Sequence, residues 1–126
     1  MARALLVILL LAASLGASSW ASDMPVLTEK DVLLHFDTPG PHTGRYYSEK
    51  ALAARVEGAA NVQCLVGWDY RLTHCKVLAE RPRNWGFGKA AADFYSQMFA
   101  DPVTRTGVQT AGREIREHMN FKLPEP

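Results

Sequence analysis

The two cysteines place the strongest constraint on how this chain folds. They lie in "NVQCLVGWDYRLTHCKV", residues 61–77, at equal distances from a central Asp69-Tyr70 pair. On both sides of that pair, apolar residues alternate with other residues. Because a period of two is typical of half-buried strands, the stretch predicts an antiparallel hairpin that turns at Asp69-Tyr70.

A symmetric reversal at this turn also predicts which residues face each other. The facing pairs are Val66 with Thr73, Cys64 with Cys75, and Val62 with Val77. All of them fall on one face, so the hydrophobic pattern and the turn favour the same register. Facing Cα atoms lie about 4.5 to 5.5 Å apart, a distance that a disulfide accepts. We predict a Cys64–Cys75 disulfide, with two free thiols packed in the core as the alternative.

The first residues have the pattern of a targeting segment. Arg3 precedes an apolar run of roughly a dozen residues, too short for the about 20 that a spanning helix needs. Ser19 and Ala21 occupy the positions before a cleavage after Ala21. We predict a signal peptide over residues 1–21 and a periplasmic mature protein, in which a disulfide is favoured. The alternative is an uncleaved segment that anchors the chain in the inner membrane.

The charge balance argues against two classes of partner. The chain has 14 Lys and Arg against 13 Asp and Glu, and cleavage would remove Arg3 and leave the two signs equal. Such a chain lacks the basic surface that binds nucleic acid or anionic lipid. We therefore expect no nucleic-acid partner and no strong membrane-surface binding in the mature chain.

The remaining elements are predicted from Pro and Gly residues, from helix-capping residues and from hydrophobic periodicity. Residues 22–45 contain several Pro and Gly and predict an irregular N-terminal arm. Ser48 is a good N-cap for a helix over about 49–57 that stops at Gly58. "KAAADFYSQMFAD", residues 89–101, has an apolar stripe at helical spacing and ends before Pro102. Alternation in "REIREHMNFKLP", residues 113–124, predicts a half-buried strand with Glu117 intruding on its apolar face.

These elements predict one α+β domain over residues 46–126. Two helices would cover one face of a three-stranded antiparallel sheet, in two layers.

The sequence offers little that points to catalysis. His35, His42, His74 and His118 lack the spacing of metal ligands, and the acidic residues are scattered singly. No nucleophile elbow, phosphate loop or dinucleotide fingerprint is present. We therefore predict a protein that is not an enzyme, without metal or cofactor. A small disulfide-stabilised periplasmic enzyme or inhibitor is the alternative, and a pocket lined by residues such as Arg71, His74 and Asp93 would favour it.

The ordered set of motifs from Tyr47 to Leu123 resembles the TonB C-terminal domain family, the periplasmic end of the energy transducer that serves outer-membrane transporters. The motifs are "YS", "VEG", "NVQCLV", "DYR", "LTHCKV", "GFGKAAADF" and "MNFKLP". The cysteines match a subgroup with paired cysteines in its first two strands. The chain departs from the usual pattern at Ser48, where proline is usual, at Tyr70, where a turn glycine is usual, and at Glu117, where an apolar residue is usual.

The resemblance implies a protein-interaction domain linked to outer-membrane transport, in which a partner peptide adds to the edge of the sheet along the last strand. The partner-binding residues would be Ile115, Arg116, Glu117, His118, Met119, Asn120 and Phe121. The partner would be an outer-membrane transporter or another protein or peptide, and a homodimer through the same edge is a further expectation. The outward charges of the strand have an alternative role, protection against unwanted pairing. A membrane-anchored energy transducer is the alternative if residues 1–21 are retained.

Overall fold

The computed structural model describes residues 24–38 and 46–125. The predicted signal segment, residues 1–21, lies outside the described residues, as does part of the predicted arm. Within the described residues the helices are α1 (Glu49–Ala53) and α2 (Phe87–Tyr95). The strands are β1 (Leu27–Thr28), β2 (Leu34–Phe36), β3 (Gly58–Val66), β4 (Leu72–Arg81), β5 (Met98–Ala100) and β6 (Glu114–Phe121).

The predicted hairpin is formed by β3 and β4, and its disulfide is confirmed. Cys64 and Cys75 are bonded, with Cα atoms 4.0 Å apart. Val62 pairs with Val77 as the symmetric register predicts, but Thr73 pairs with Leu65 rather than with Val66. The register shifts because His74, at φ 50°, and Cys75 together oppose the single residue Cys64, which makes a β-bulge.

The hairpin loop is wider than two residues. Gly67 N–H donates to Arg71 O and Tyr70 N–H donates to Gly67 O, each at an N···O distance of 2.9 Å. The loop therefore consists of Trp68, Asp69 and Tyr70, the three-residue type that ends in a left-handed residue. Tyr70 takes that position at φ 69°, where the resembling family usually has glycine.

The two-layer α+β architecture is confirmed, but the sheet has more strands than the sequence predicted. The main sheet has four strands in the order β1-β6-β3-β4, and β2 pairs with β5 in a separate two-stranded sheet. β3 is antiparallel to both of its neighbours, whereas β1 is parallel to β6. The added strands β1 and β2 come from the predicted arm, whose described residues therefore pack on the domain.

The first helix begins as predicted and ends earlier. Ser48 is its N-cap, and the Ser48 hydroxyl accepts from Ala51 N–H. The helix ends at Ala53, and Arg55, at φ 55°, makes the left-handed stop that we predicted at Gly58. Gly58 instead opens β3 where the chain passes close to the core. A Cβ at Gly58 would lie 2.3 Å from the Phe87 ring and 2.4 Å from Arg81 O.

The second helix is also shorter than the predicted 89–101 segment. It runs over Phe87–Tyr95, and the following Met98–Ala100 is the strand β5, antiparallel to β2. Helical periodicity missed this change because Met98 and Phe99 continue the apolar spacing. The helix has no side-chain N-cap at Gly86, but the Glu80 carboxylate accepts from Gly88 N–H over 2.6 Å. This carboxylate satisfies an amide of the first turn and lies at the positive end of the helix dipole.

One hydrophobic core lies between the helices and the main sheet. It includes residues of both strands and of α2: Val62, Cys64 and Val66 from β3, Ile115, Met119 and Phe121 from β6, and Phe87, Ala90, Ala91, Phe94 and Tyr95 from α2. β6 alternates strictly between exposed and buried residues, which confirms the predicted half-buried strand. Phe87, Phe121 and Tyr47 are in mutual ring contact at centroid distances of 5.0 to 5.8 Å.

The disulfide should supply a large part of the stability of this domain. In the chain-entropy model, a cross-link between residues 11 apart removes enough unfolded-state freedom to contribute about 3 kcal/mol. We predict that the double variant Cys64→Ala, Cys75→Ala lowers the free energy of unfolding in urea by about 3 kcal/mol. The same loss is expected when the native protein is unfolded with excess reductant. A loss below about 1 kcal/mol in both experiments would contradict this role.

Candidate functional site

The main sheet could accept another strand at β4 or along the part of β6 that β1 leaves uncovered, and these two edges differ in regularity. β4 contains two irregularities, at His74 and at Leu78, where its pairing with β3 shifts by one residue. Bulges twist an edge away from an incoming strand, and natural sheets use them to prevent pairing. β6 pairs with β3 without any shift from Glu114 to Phe121. The regular edge is therefore on the β6 side.

β1 covers only the beginning of that edge. Leu27 pairs with Ile115, and Thr28 pairs with Arg116. Beyond this point, the residues from Glu117 to Phe121 have no sheet partner on their outer side among the described residues. We call this five-residue segment the open edge. At about 3.3 Å per residue it is roughly 16 Å long, the length of a typical short strand.

A turn after β1 keeps the edge open. Asp31 N–H donates to Thr28 O, and the Asp31 carboxylate accepts from both Thr28 N–H and the Thr28 hydroxyl. These bonds reverse the chain at Glu29–Asp31, away from β6. Before β1, Arg113 holds the segment on the domain by donating to Pro25 O over 2.7 Å. β1 is thus fixed at both ends and ends after Thr28.

Three grooves flank the open edge. The first, which we call the outer groove, lies on the outer face of the sheet and is lined by Thr28, Glu29, Lys30, Asn61, Leu78, Arg116, Glu117 and His118. A second, which we call the core-side groove, is lined by Glu29, Val32, Leu33, Leu34, Phe94, Tyr95, Met98 and Glu117. A third lies at the end of the strand and is lined by Tyr47, Leu52, Met119, Asn120, Phe121, Lys122 and Pro124. Side chains of an added strand would point alternately toward the two faces of the sheet, where these grooves lie.

Glu117 is the unusual residue of the open edge. Its side chain is on the core face, and the residue is only 7% exposed. The Glu117 Oε1 atom is buried without a hydrogen-bond partner, and no ion pair of the described residues includes Glu117. Burial, and next the charge of Glu29, raise the pKa of Glu117 to about 7. A carboxyl group with this pKa changes charge near neutral pH.

Tyr95 connects helix α2 to the open edge. Its hydroxyl donates to His118 O over 3.2 Å, so the helix contacts the backbone of the open edge. Burial, followed by the charges of Glu117 and Glu29, raises the pKa of Tyr95 above its ordinary value. Tyr95 therefore stays protonated and remains a hydrogen-bond donor.

The residues predicted to bind a partner fall into two groups. Ile115 and Arg116 pair with β1, so their side of the strand is already covered. Glu117, His118, Met119, Asn120 and Phe121 form the open edge. Their exposed members are polar: His118 contacts both Asn61 and Asn120, through Nδ1 at 2.5 Å and Nε2 at 3.2 Å.

The N-terminal arm contributes to the site, which the sequence patterns did not predict. Glu29, Val32, Leu33 and Leu34 line the core-side groove, and Leu33 is 54% exposed there. The one available signal was Glu117 itself, a charge on an otherwise apolar strand face. It indicated an unusual site without indicating which segment completes it.

The residues named for the enzymatic alternative are not brought together. Arg71 lies over the Phe99 ring at 4.6 Å, the Asp93 carboxylate accepts from Lys89 Nζ at 2.7 Å, and His74 contacts Thr73. None of five surface grooves that the described residues form is lined by more than one of these three side chains.

Residues 24–38 and 46–125 contain no group of three or more His, Cys, Asp or Glu that could hold a metal ion. None of their helices is long and apolar enough to cross a membrane.

Comparison with solved structures identifies the fold. The solution NMR structure of the Pseudomonas aeruginosa TonB C-terminal domain matches over 83% of this chain and 99% of its own length, with a TM-score of 0.54 and 20% sequence identity. The chain has the TonB C-terminal fold. No protein-family model matches the sequence, and no curated protein matches it significantly. The TonB resemblance of the sequence motifs is therefore confirmed at the level of fold.

Glu117 should make the stability of this TonB-like domain depend on pH. A carboxyl with a pKa of about 7 when folded, against about 4.5 in the unfolded chain, binds more protons in the native state between these values. Stability should therefore fall as the pH rises from about 4.5 to about 7, by about 3 kcal/mol in total. We predict that Glu117→Gln removes this loss, measured by urea unfolding across that range.

Glu49→Gln is the matched control, because Glu49 is exposed in the first turn of α1. It should keep the wild-type pH profile. Parallel pH profiles for wild type and Glu117→Gln would show that Glu117 titrates normally.

Proposed function

We propose that this chain is a periplasmic, TonB-like protein-interaction domain linked to outer-membrane transport, and that it binds an extended segment of its partner at the open edge of β6. The observation that carries the proposal is the open edge: a regular strand that, among the described residues, has no strand paired to its outer side from Glu117 to Phe121. The proposal narrows the predicted binding residues to this segment, because β1 already pairs with Ile115 and Arg116.

Strand addition would use the main chain of the open edge and the grooves beside it. Main-chain hydrogen bonds to an added strand would provide affinity, and alternate side chains would enter pockets that provide specificity. Here the grooves on the two faces differ in chemistry. The core-side groove is mainly apolar, whereas the outer groove carries Lys30, Arg116 and His118. A partner segment that alternates apolar with polar residues would match both.

Several features support the periplasm as the compartment. The Cys64–Cys75 disulfide suits an oxidising environment, and the fold is that of a TonB C-terminal domain. The predicted signal segment, cleaved near Ala21, would deliver the chain there. Retention of the segment would instead give the anchored energy transducer, which uses the same edge.

Binding rather than catalysis is the activity that the site favours. Two of the three groups with a raised pKa, Glu117 and Tyr95, lie beside a strand edge, and the described residues contain no group of side chains there that could hold a metal ion. We therefore propose that the protein is not an enzyme.

Site-specific photo-cross-linking in intact cells tests the proposal. p-Benzoylphenylalanine is placed at Asn120, which is exposed on the open edge, and the full-length chain is irradiated in its native host. We expect a cross-link to the periplasmic segment of an outer-membrane transporter, identified by mass spectrometry of the joined peptides.

The matched control carries the same cross-linker at Lys76, which is exposed on the bulged β4. It should give no transporter cross-link. Equal transporter cross-linking from positions 120 and 76, or a product from position 120 that contains only a second copy of this chain, would overturn the proposal.

A further inference from the structure

Glu117 is a buried acidic residue for which the described residues supply no ion-pair partner. It is more than nine-tenths buried, its Oε1 atom has no hydrogen-bond partner, and it lines the core-side groove beside the open edge. A buried carboxylate is normally paired or hydrogen-bonded, because removing it from water otherwise costs several kcal/mol. An unpaired carboxylate beside a strand edge would therefore be stabilised by an opposite charge that a partner supplies.

The charges around Glu117 are the wrong ones to neutralise it within the chain. Glu29, from the turn after β1, lines the same groove and adds a second negative charge. Tyr95, from α2, is neutral at physiological pH, and its raised pKa moves ionisation of the hydroxyl still further from that range. Lys30, Arg116 and His118 line the outer groove with Glu117 and Glu29, but none forms an ion pair with either carboxylate.

The groove has room for a long side chain. Its volume of about 260 Å³ is several times the roughly 30 Å³ that one water molecule occupies. It is lined by the apolar side chains of Val32, Leu33, Phe94 and Met98 together with the two carboxyl residues, Glu29 and Glu117. A long aliphatic side chain with a cationic end group fits this groove, because lysine and arginine bury their methylene groups while the charged group reaches a polar partner.

We propose that the partner segment carries a basic residue whose side chain enters the core-side groove and pairs with Glu117, with Glu29 as the second carboxylate. This inference rests on the proposed strand addition at the open edge and specifies the chemistry of the partner. Arginine suits the site better than lysine, because the planar guanidinium group has five donors and can bond two carboxylates at once.

The pairing also makes recognition depend on pH. At pH 6 most copies of free Glu117 are protonated, and at pH 8 most are ionised, because the pKa is about 7. If only the ionised form pairs with a basic side chain, affinity for a basic partner should rise about tenfold between these values. A neutral partner should show no such rise.

Synthetic peptides test the inference directly. The probe is a fluorescent peptide of about eight residues that alternates threonine with valine, long enough to span the open edge. One central valine is replaced in turn by arginine, lysine, citrulline or leucine, and binding to the folded protein is measured by fluorescence anisotropy at pH 6 and pH 8. We expect the arginine peptide to bind at least about tenfold more tightly than its neutral citrulline isostere at pH 8, and only about equally at pH 6.

Variants of the protein assign the effect to Glu117. Glu117→Gln should abolish both the arginine preference and its pH dependence, and Glu29→Gln should reduce the preference by less. Glu49→Gln, on exposed α1, should leave both unchanged.

The outcomes separate this inference from the proposed function. Equal binding of the arginine and citrulline peptides at pH 8, or an arginine preference that survives Glu117→Gln, would overturn the inference and leave edge pairing intact. Failure of every peptide to bind would also count against it, whereas the cross-link from position 120 tests edge pairing independently.

Discussion

The pairing of β3 with strands on both sides is the constraint on which the rest of the structure depends. β3 exchanges hydrogen bonds with β4 and with β6 along nearly its whole length, and the Cys64–Cys75 bond ties it to β4. Val62, Cys64 and Val66 are almost fully buried from this central position. Because β3 lies inside the sheet, α2 can pack against it, and the edges fall on β4 and on the part of β6 that β1 does not cover. A chain that lost this pairing would lose both the core and the open edge.

The two edges then take different roles for physical reasons. β4 is irregular because the disulfide bulge and the shift at Leu78 each disturb its backbone, which discourages pairing. β6 stays regular, and β1 covers only its first residues before the Thr28–Asp31 turn leads the chain away. A buried charge at Glu117 protects an edge in the free protein, because an apolar strand would leave that charge unpaired. The same charge becomes favourable when the arriving strand brings a cation, so protection and recognition share one residue.

The hairpin and the last strand could be predicted from sequence because their signals are local. The alternation around Asp69-Tyr70 fixes two strands and the cysteine pairing, and the alternation in residues 114–121 fixes the half-buried β6. The bulges could not be predicted, because His74 and Tyr70 adopt left-handed backbone φ angles that their residue types do not indicate. Met98 and Phe99 continue a helical spacing, but pairing with β2 places them in a strand. The pairing of β1 with β6 is a long-range contact with only two residue pairs, too short to leave a periodic signal, and this is why the groove beside Glu117 could not be foreseen.

Native-state hydrogen exchange of the free, monomeric protein tests the central claim most directly. If the outer side of β6 is uncovered from Glu117 to Phe121, every second amide in this segment should exchange quickly, while the amides of β3 from Asn61 to Leu65 exchange only on global unfolding. Slow exchange at every amide from Glu117 to Phe121 would contradict the account, because it would mean that this side of the sheet is already paired.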